Sequence, residues 1–194
     1  MKISKFFSNN SDYGFMNNID NYTIKSAKHL SFELSDWDIT SLHSEAKNHC
    51  AAVTSTNIDK YFSEIFEIYE NFDIISRFNQ NYNLIGNGPI FSFANKTKII
   101  LAKKNININY KRKWINKLSF IKDSIDKDNI VALLLCSNFK DYHWIICTGY
   151  FITSDDKIIL KIIDNWNKSY RYYIPSEQSF ILKVTSFGEF KISF

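Results

Sequence analysis

The pattern of apolar and polar positions changes character midway along the chain. Residues 1–35 are polar and irregular, with short apolar patches at Leu30, Phe32 and Leu34. This predicts an extended N-terminal arm, partly docked on the remainder. From about Asn48 the pattern becomes helical. Ala51, Ala52, Thr54 and Ser55 are small enough to pack closely, and Ile58, Tyr61, Phe62, Ile65, Phe66, Tyr69 and Phe72 recur at three- and four-residue spacing, the mark of an amphipathic face. Asn57 is a candidate break between two helices. The run Ile85-Gly86-Asn87-Gly88-Pro89 reads as a turn, with Pro89 opening a helix over 89–104. Ile106 to Tyr110 alternates as a short strand does, and Trp114, Leu118, Ile121 and Ile125 mark a further helix.

The second half reads as strands. Ile130 to Cys136 is an unbroken apolar run, and Trp144–Ile152, Ile158–Asp164, Tyr170–Ile174, Phe180–Val184 and Glu189–Phe194 follow, rich in β-branched and aromatic residues. Ser154-Asp155-Asp156 and Asn165-Trp166-Asn167-Lys168 suit hairpin turns. Helices first and an antiparallel meander after predict an α+β fold, with a single domain over 36–194 preceded by the arm.

Composition narrows the function classes. The chain has 194 residues, 45% hydrophobic and 16% aromatic, enough for one packed core. Its net charge of +4 is mild, and the densest basic run, Lys111-Arg112-Lys113, lacks the stripe and motif of a nucleic-acid protein, so it is read as a solvated face. No apolar stretch approaches a membrane span, and the first ten residues are too broken for a signal peptide, so a cytoplasmic location is the default expectation. The three cysteines, Cys50, Cys136 and Cys147, have no metal-ligand spacing and form no disulfide framework. No metal and no cofactor are expected.

Three stretches carry chemistry. In Asn48-His49-Cys50-Ala51-Ala52, a cysteine opens a helix, where partial positive charge and unpaired N–H groups favour thiolate. In Tyr142-His143-Trp144, a histidine opens a strand and is placed to take a thiol proton and return it to a leaving group. In Ile162-Ile163-Asp164-Asn165-Trp166, an apolar strand ends in a carboxylate that can fix the His143 tautomer, with Trp166 shielding the bond and Asn165 a substitute for Asp164. His49 should point away from Cys50, and His29 and His43 are read as surface or packing residues.

The order Cys, His, Asp, with helices before sheet, resembles the papain-like cysteine peptidases, and within them the C39-like group of bacterial peptidases. The residues that carry the likeness are Cys50 with small residues up to Asn57, the strand His143-Trp144-Ile145-Ile146-Cys147-Thr148-Gly149-Tyr150, and Asp164-Asn165-Trp166. The resemblance spans about 48–175 and implies a Cys50–His143–Asp164 triad that hydrolyses a peptide bond through an acyl-enzyme, acting on a peptide or protein. Two features depart from the family. No Gln precedes the cysteine as oxyanion donor, leaving Asn48, Ser44 and His43 upstream, with Asn48 the candidate; and Ala51 stands where a Gly is usual. Trp144 and Trp166 are expected as cleft wall. Two other readings keep the fold. His49-Cys50 also suits papain-like acyltransferases, which pass an acyl group from a carrier protein to an amine. The missing Gln suits a non-catalytic binding module.

Overall fold

A computed structural model describes residues 13–68, 73–88, 90–137, 141–175 and 179–192. Among the described residues are four α-helices and seven strands, the helices largely ahead of the sheet: α1 (Cys50–Ile65), α2 (Ile74–Ile85), α3 (Phe93–Ala102) and α4 (Lys117–Asp126). The strands, β1 (Ile24–His29), β2 (Ile106–Lys113), β3 (Ile130–Ser137), β4 (Asp141–Thr153), β5 (Ile158–Ile163), β6 (Arg171–Tyr173) and β7 (Ser179–Ile192), form one antiparallel sheet. The expected α+β class is therefore what the chain adopts.

α1 is one unbroken helix, and it is buried over most of its circumference. Asn57 does not break it: the side chain is buried and bonded to neighbouring elements, so the polar residue joins structures instead of ending one. Tyr69, Phe72 and Pro89 lie outside the described residues. α2 was not evident in the apolar pattern. Its N-terminus is made by Asp73, whose carboxylate accepts from the Ile75 N–H at 3.2 Å, and its end by Gly86 at φ 81. Its buried face mixes Phe78 and Ile85 with two polar residues: Arg77 faces the buried Asp59 carboxylate of α1 at 3.6 Å, and Asn81 donates to Thr56. α3 starts four residues later than the Gly-Pro signal suggests, and Trp114 lies outside α4, half-exposed.

The sheet order is β2-β7-β3-β4-β5-β6. Strands β3 to β6 form the expected meander. β7 departs from it: the two stretches expected as separate strands are one long strand that returns beside β3 and leaves β2 on the edge. The basic run Lys111-Arg112-Lys113 extends β2, and its exposed cations discourage another strand from adding there. All eight residues of β3 are buried, so this central strand is covered on both faces.

β1 arises from the stretch that reads as irregular. It pairs with β4 from Ile24↔Thr153 to His29↔Gly149, beyond the point where β3 stops. The approach is close. A Cβ on Gly149 would stand 2.4 Å from His29 Nδ1 and 2.8 Å from the Lys28 carbonyl oxygen, so only glycine fits. Gly149→Ala should cost about 1–3 kcal/mol, and adding His29→Ala should recover only part, because the main-chain clash remains. Denaturant midpoints of the single and double variants measure this.

Candidate active site

The geometry begins at the Trp144 peptide. Strand β4 meets β5 only from Ile146 onward, so the Trp144 edge on that side is open. The first turns of α1 fill it. The Trp144 carbonyl accepts from Thr54 Oγ1 at 3.2 Å and from Asn165 Nδ2 at 2.8 Å. Asn165 Nδ2 also donates to Thr54 Oγ1 at 2.7 Å, and Asn165 Oδ1 accepts from Asn57 Nδ2 at 2.9 Å. Asn57 in turn accepts from the Asp38 N–H and donates to the Asp38 carbonyl, and Asn165's own carbonyl accepts from the Thr40 N–H. Thr54, Asn57 and Asn165 are wholly buried. Their partners are complete, which is the condition for a buried polar network to stabilise rather than destabilise.

This network sets Cys50 against β4. The Cys50 sulfur lies within reach of the backbone N–H groups of Trp144, Ala51 and Cys50 itself, all of which favour thiolate. Burial acts the other way and is the larger effect, so the thiol is pushed above its ordinary value although Cys50 as a residue is only half-buried. The expectation that a helix N-terminus would leave a resting thiolate is corrected on this ground.

His143 is the residue before Trp144 and is 3% exposed. Its Nε2 stands 2.7 Å from the Asp164 carbonyl oxygen. A carbonyl only accepts, so Nε2 carries the proton and Nδ1 is left as the base. Burial lowers the imidazole to about 4, the Asp164 bond opposing it in part. The ring lies flat on Trp166 at 3.9 Å and 9°, with Tyr13 beyond at 5.7 Å. Tyr13 belongs to the N-terminal segment. That segment is fixed to β6 by paired Met16 and Tyr172 main-chain bonds and by Arg171, which donates to the Phe15 and Met16 carbonyls.

The expected roles are redistributed. Asp164 is beside His143, but its main chain holds the ring. Its carboxylate accepts from the Trp166 and Asn167 N–H groups at 2.9 Å and from Asn167 Nδ2 at 2.7 Å, closing the turn after β5. Asn165 faces α1 and does not replace it. Trp166 is the plate against the imidazole. Trp144 is not cleft wall: its indole is buried and stacked on Phe93 at 4.1 Å, and it serves the site through its N–H and carbonyl. Asn48 is exposed in a left-handed conformation (φ 48), with its carbonyl accepting from the Gly88 N–H. His43 is a packing residue, buried with Nε2 2.7 Å from Asp38 and stacked on Phe78. His49 turns to the Thr40 carbonyl, away from Cys50. Among the described residues no group of three or more His, Cys, Asp or Glu could hold a metal ion, and no helix is long and apolar enough to cross a membrane.

Two variants separate the carboxylate role from the turn role. Asp164→Asn keeps an acceptor for the two N–H groups and should leave Cys50 alkylation kinetics within about twofold of the parent. Asp164→Ala should lose about 1–3 kcal/mol in denaturant titration. A loss of tautomer control in Asp164→Asn alone would return the role to the carboxylate. Acid stability gives a second check. The folded His143 resists protonation down to about 4, whereas the unfolded chain takes that proton near 6.5. Its contribution is complete above pH 6.5 and declines as pH falls toward 4, by roughly 3 kcal/mol over the window. His143→Gln should flatten that decline in denaturation midpoints.

No model of a known protein family matches the sequence, and no curated protein matches it. Among solved structures the fold is similar to that of UfSP from C. elegans, with 9% sequence identity and a TM-score of 0.57. The likeness covers 88% of this chain and 35% of that one, so the chain spans about a third of that protein's length. At this identity the comparison speaks for the fold: a papain-like arrangement with Cys50 at the start of α1, and the helices ahead of an antiparallel sheet.

Proposed function

We propose that the protein is a papain-like cysteine peptidase in which Cys50 is the nucleophile and His143 the base. The observation that carries this reading is the Trp144 peptide: its N–H meets the Cys50 sulfur, and the residue before it presents an imidazole whose free nitrogen is Nδ1. His143 Nδ1 takes the thiol proton as sulfur bonds to the substrate carbonyl carbon. The main-chain N–H groups opening α1 receive the developing oxyanion. The imidazolium then protonates the departing amine, leaving a thioester that water hydrolyses with His143 again as base. Asp164 positions the imidazole through its carbonyl and the turn its carboxylate closes. The C39-like pattern in the motifs supports a bacterial-type processing peptidase acting on a peptide or protein.

Because burial raises the thiol and lowers the imidazole, the resting pair is neutral, and proton transfer accompanies attack. Turnover of a randomised peptide library, read by mass spectrometry, should therefore persist down to about pH 5, with an acid limb near the value about 4 of His143. Iodoacetamide alkylation of Cys50 should climb only toward and above pH 8.5, as for a thiol with no resting ion pair. Cys50→Ala and His143→Ala should each lower turnover by at least about 10³-fold. Cleavage undiminished in Cys50→Ala would overturn the assignment, and transfer to added amines without hydrolysis would move it to an acyltransferase.

A further inference from the structure

Beside this site lies a cavity of about 220 Å³ lined by Ile90, Phe91, Leu134, Tyr142, Leu182 and Lys183. Its position is set by the elements already described. Tyr142 immediately precedes His143, and Leu134 sits across the ladder from Trp144. Ile90 and Phe91 follow the turn whose Gly88 N–H holds the Asn48 carbonyl, two residues before Cys50. The cavity therefore draws its walls from the residue before His143 and from the segment that follows the Gly88 turn.

Its lining is apolar except for the Tyr142 hydroxyl and Lys183. Lys183 is 1% exposed, yet among the described residues it faces no carboxylate. Among the described residues its ammonium meets the Phe91 carbonyl at 3.3 Å and the face of Trp114 at 5.3 Å. Arg112, on the neighbouring strand, adds a second positive charge nearby, and burial together with Arg112 lowers the Lys183 ammonium. A buried cation without an anion is costly and is ordinarily paired. Around the mouth, Phe91 (74% exposed), Trp114 (47%) and Tyr142 (41%) leave aromatic surface in water. Apolar walls, exposed aromatic rims and an uncompensated ammonium together define a complementary ligand.

We propose that this cavity is a substrate subsite for a bulky apolar side chain bearing or adjoining a carboxylate, with Lys183 receiving the carboxylate. Its use in catalysis rests on the peptidase reading above; the binding itself does not. The carboxylate comes either from a chain terminus or from an acidic residue next to the apolar one. In both cases the ammonium gains the counter-ion it lacks, and the apolar group covers the exposed rings.

Binding is read in the Cys50→Ser protein by quenching of tryptophan fluorescence, Trp114 standing at the mouth. The probes are N-acetyl-phenylalanine, its amide, and N-acetyl-phenylalanyl-glutamate amide with its glutamine counterpart. Each acid should bind about ten- to a hundredfold tighter than its neutral partner if it supplies the carboxylate, and the stronger pair names the source. Lys183→Met should erase the preference and Lys183→Arg retain it. If Lys183→Met does not fold, as judged by its thermal transition, the acid-to-amide ratio in the Lys183→Arg and parental backgrounds decides the matter alone. Absence of Cys50-dependent peptide turnover in the parental protein would count against the nucleophile, not against the subsite. Equal affinity for acids and neutral partners, or a preference that survives in folded Lys183→Met, overturns the subsite.

Discussion

The carboxamide of Asn165 is the point on which the site depends. One nitrogen bridges Thr54 of α1 and the Trp144 carbonyl of β4, and the oxygen takes the bond from Asn57 one helical turn further on. Three separate parts of the chain meet in a dry environment through atoms that have few other partners. Apolar packing alone would tolerate α1 sliding along the sheet, since such surfaces are non-directional. Directional bonds to the end of a strand do not. The consequence is local precision: the Cys50 sulfur falls at the Trp144 N–H, and the same turn that supplies Asn165 supplies the Asp164 carbonyl to His143.

Two opposing influences meet at Cys50, and their sizes decide the outcome. A helix N-terminus is worth roughly 0.3–1 kcal/mol to an anion, up to about 2 when partly buried. Loss of solvation can move a buried group by several pKa units. Burial therefore dominates in the resting protein, and it dominates at His143 as well, where Tyr13 and Trp166 exclude water from the ring. A neutral pair in a closed setting stores little electrostatic energy. Under the proposed mechanism the charges separate only when a substrate carbonyl arrives, and the main-chain N–H groups then acquire an anion to hold.

Much of this architecture was legible in the sequence, and the parts that were not have physical reasons. Ile130–Ser137 and the His143 strand declared themselves because buried strands are continuous apolar runs. Cys50 and His143 were singled out by residue type and by their place at the start of elements. α2 escaped because only Phe78 and Ile85 of its inward positions are apolar; the others are Arg77 and Asn81, whose burial depends on partners elsewhere in the chain, Asp59 and Thr56. Asn57 was misread for the same reason: an asparagine inside a helix signals a break unless a distant element needs its amide. The exchange of roles within Asp164, carbonyl for carboxylate, is not encoded in residue identity, because every residue has a carbonyl. The distinction between Trp144 as wall and Trp144 as backbone is hidden likewise.

Gly149 carries a consequence that concerns the order of events. The strand it admits, β1, precedes β4 in the chain, and its seat does not exist until residues up to Thr153 have emerged. Until then the segment has no partner, and the exposed flank of β4 beyond β3 is an edge open to other chains. Closing it requires bridging most of the sequence, a slow step for non-local pairings. β1 thus stays unpaired until the chain between His29 and Gly149 has been made, and the flank of β4 that it covers stays open to strand exchange for as long as that pairing is delayed.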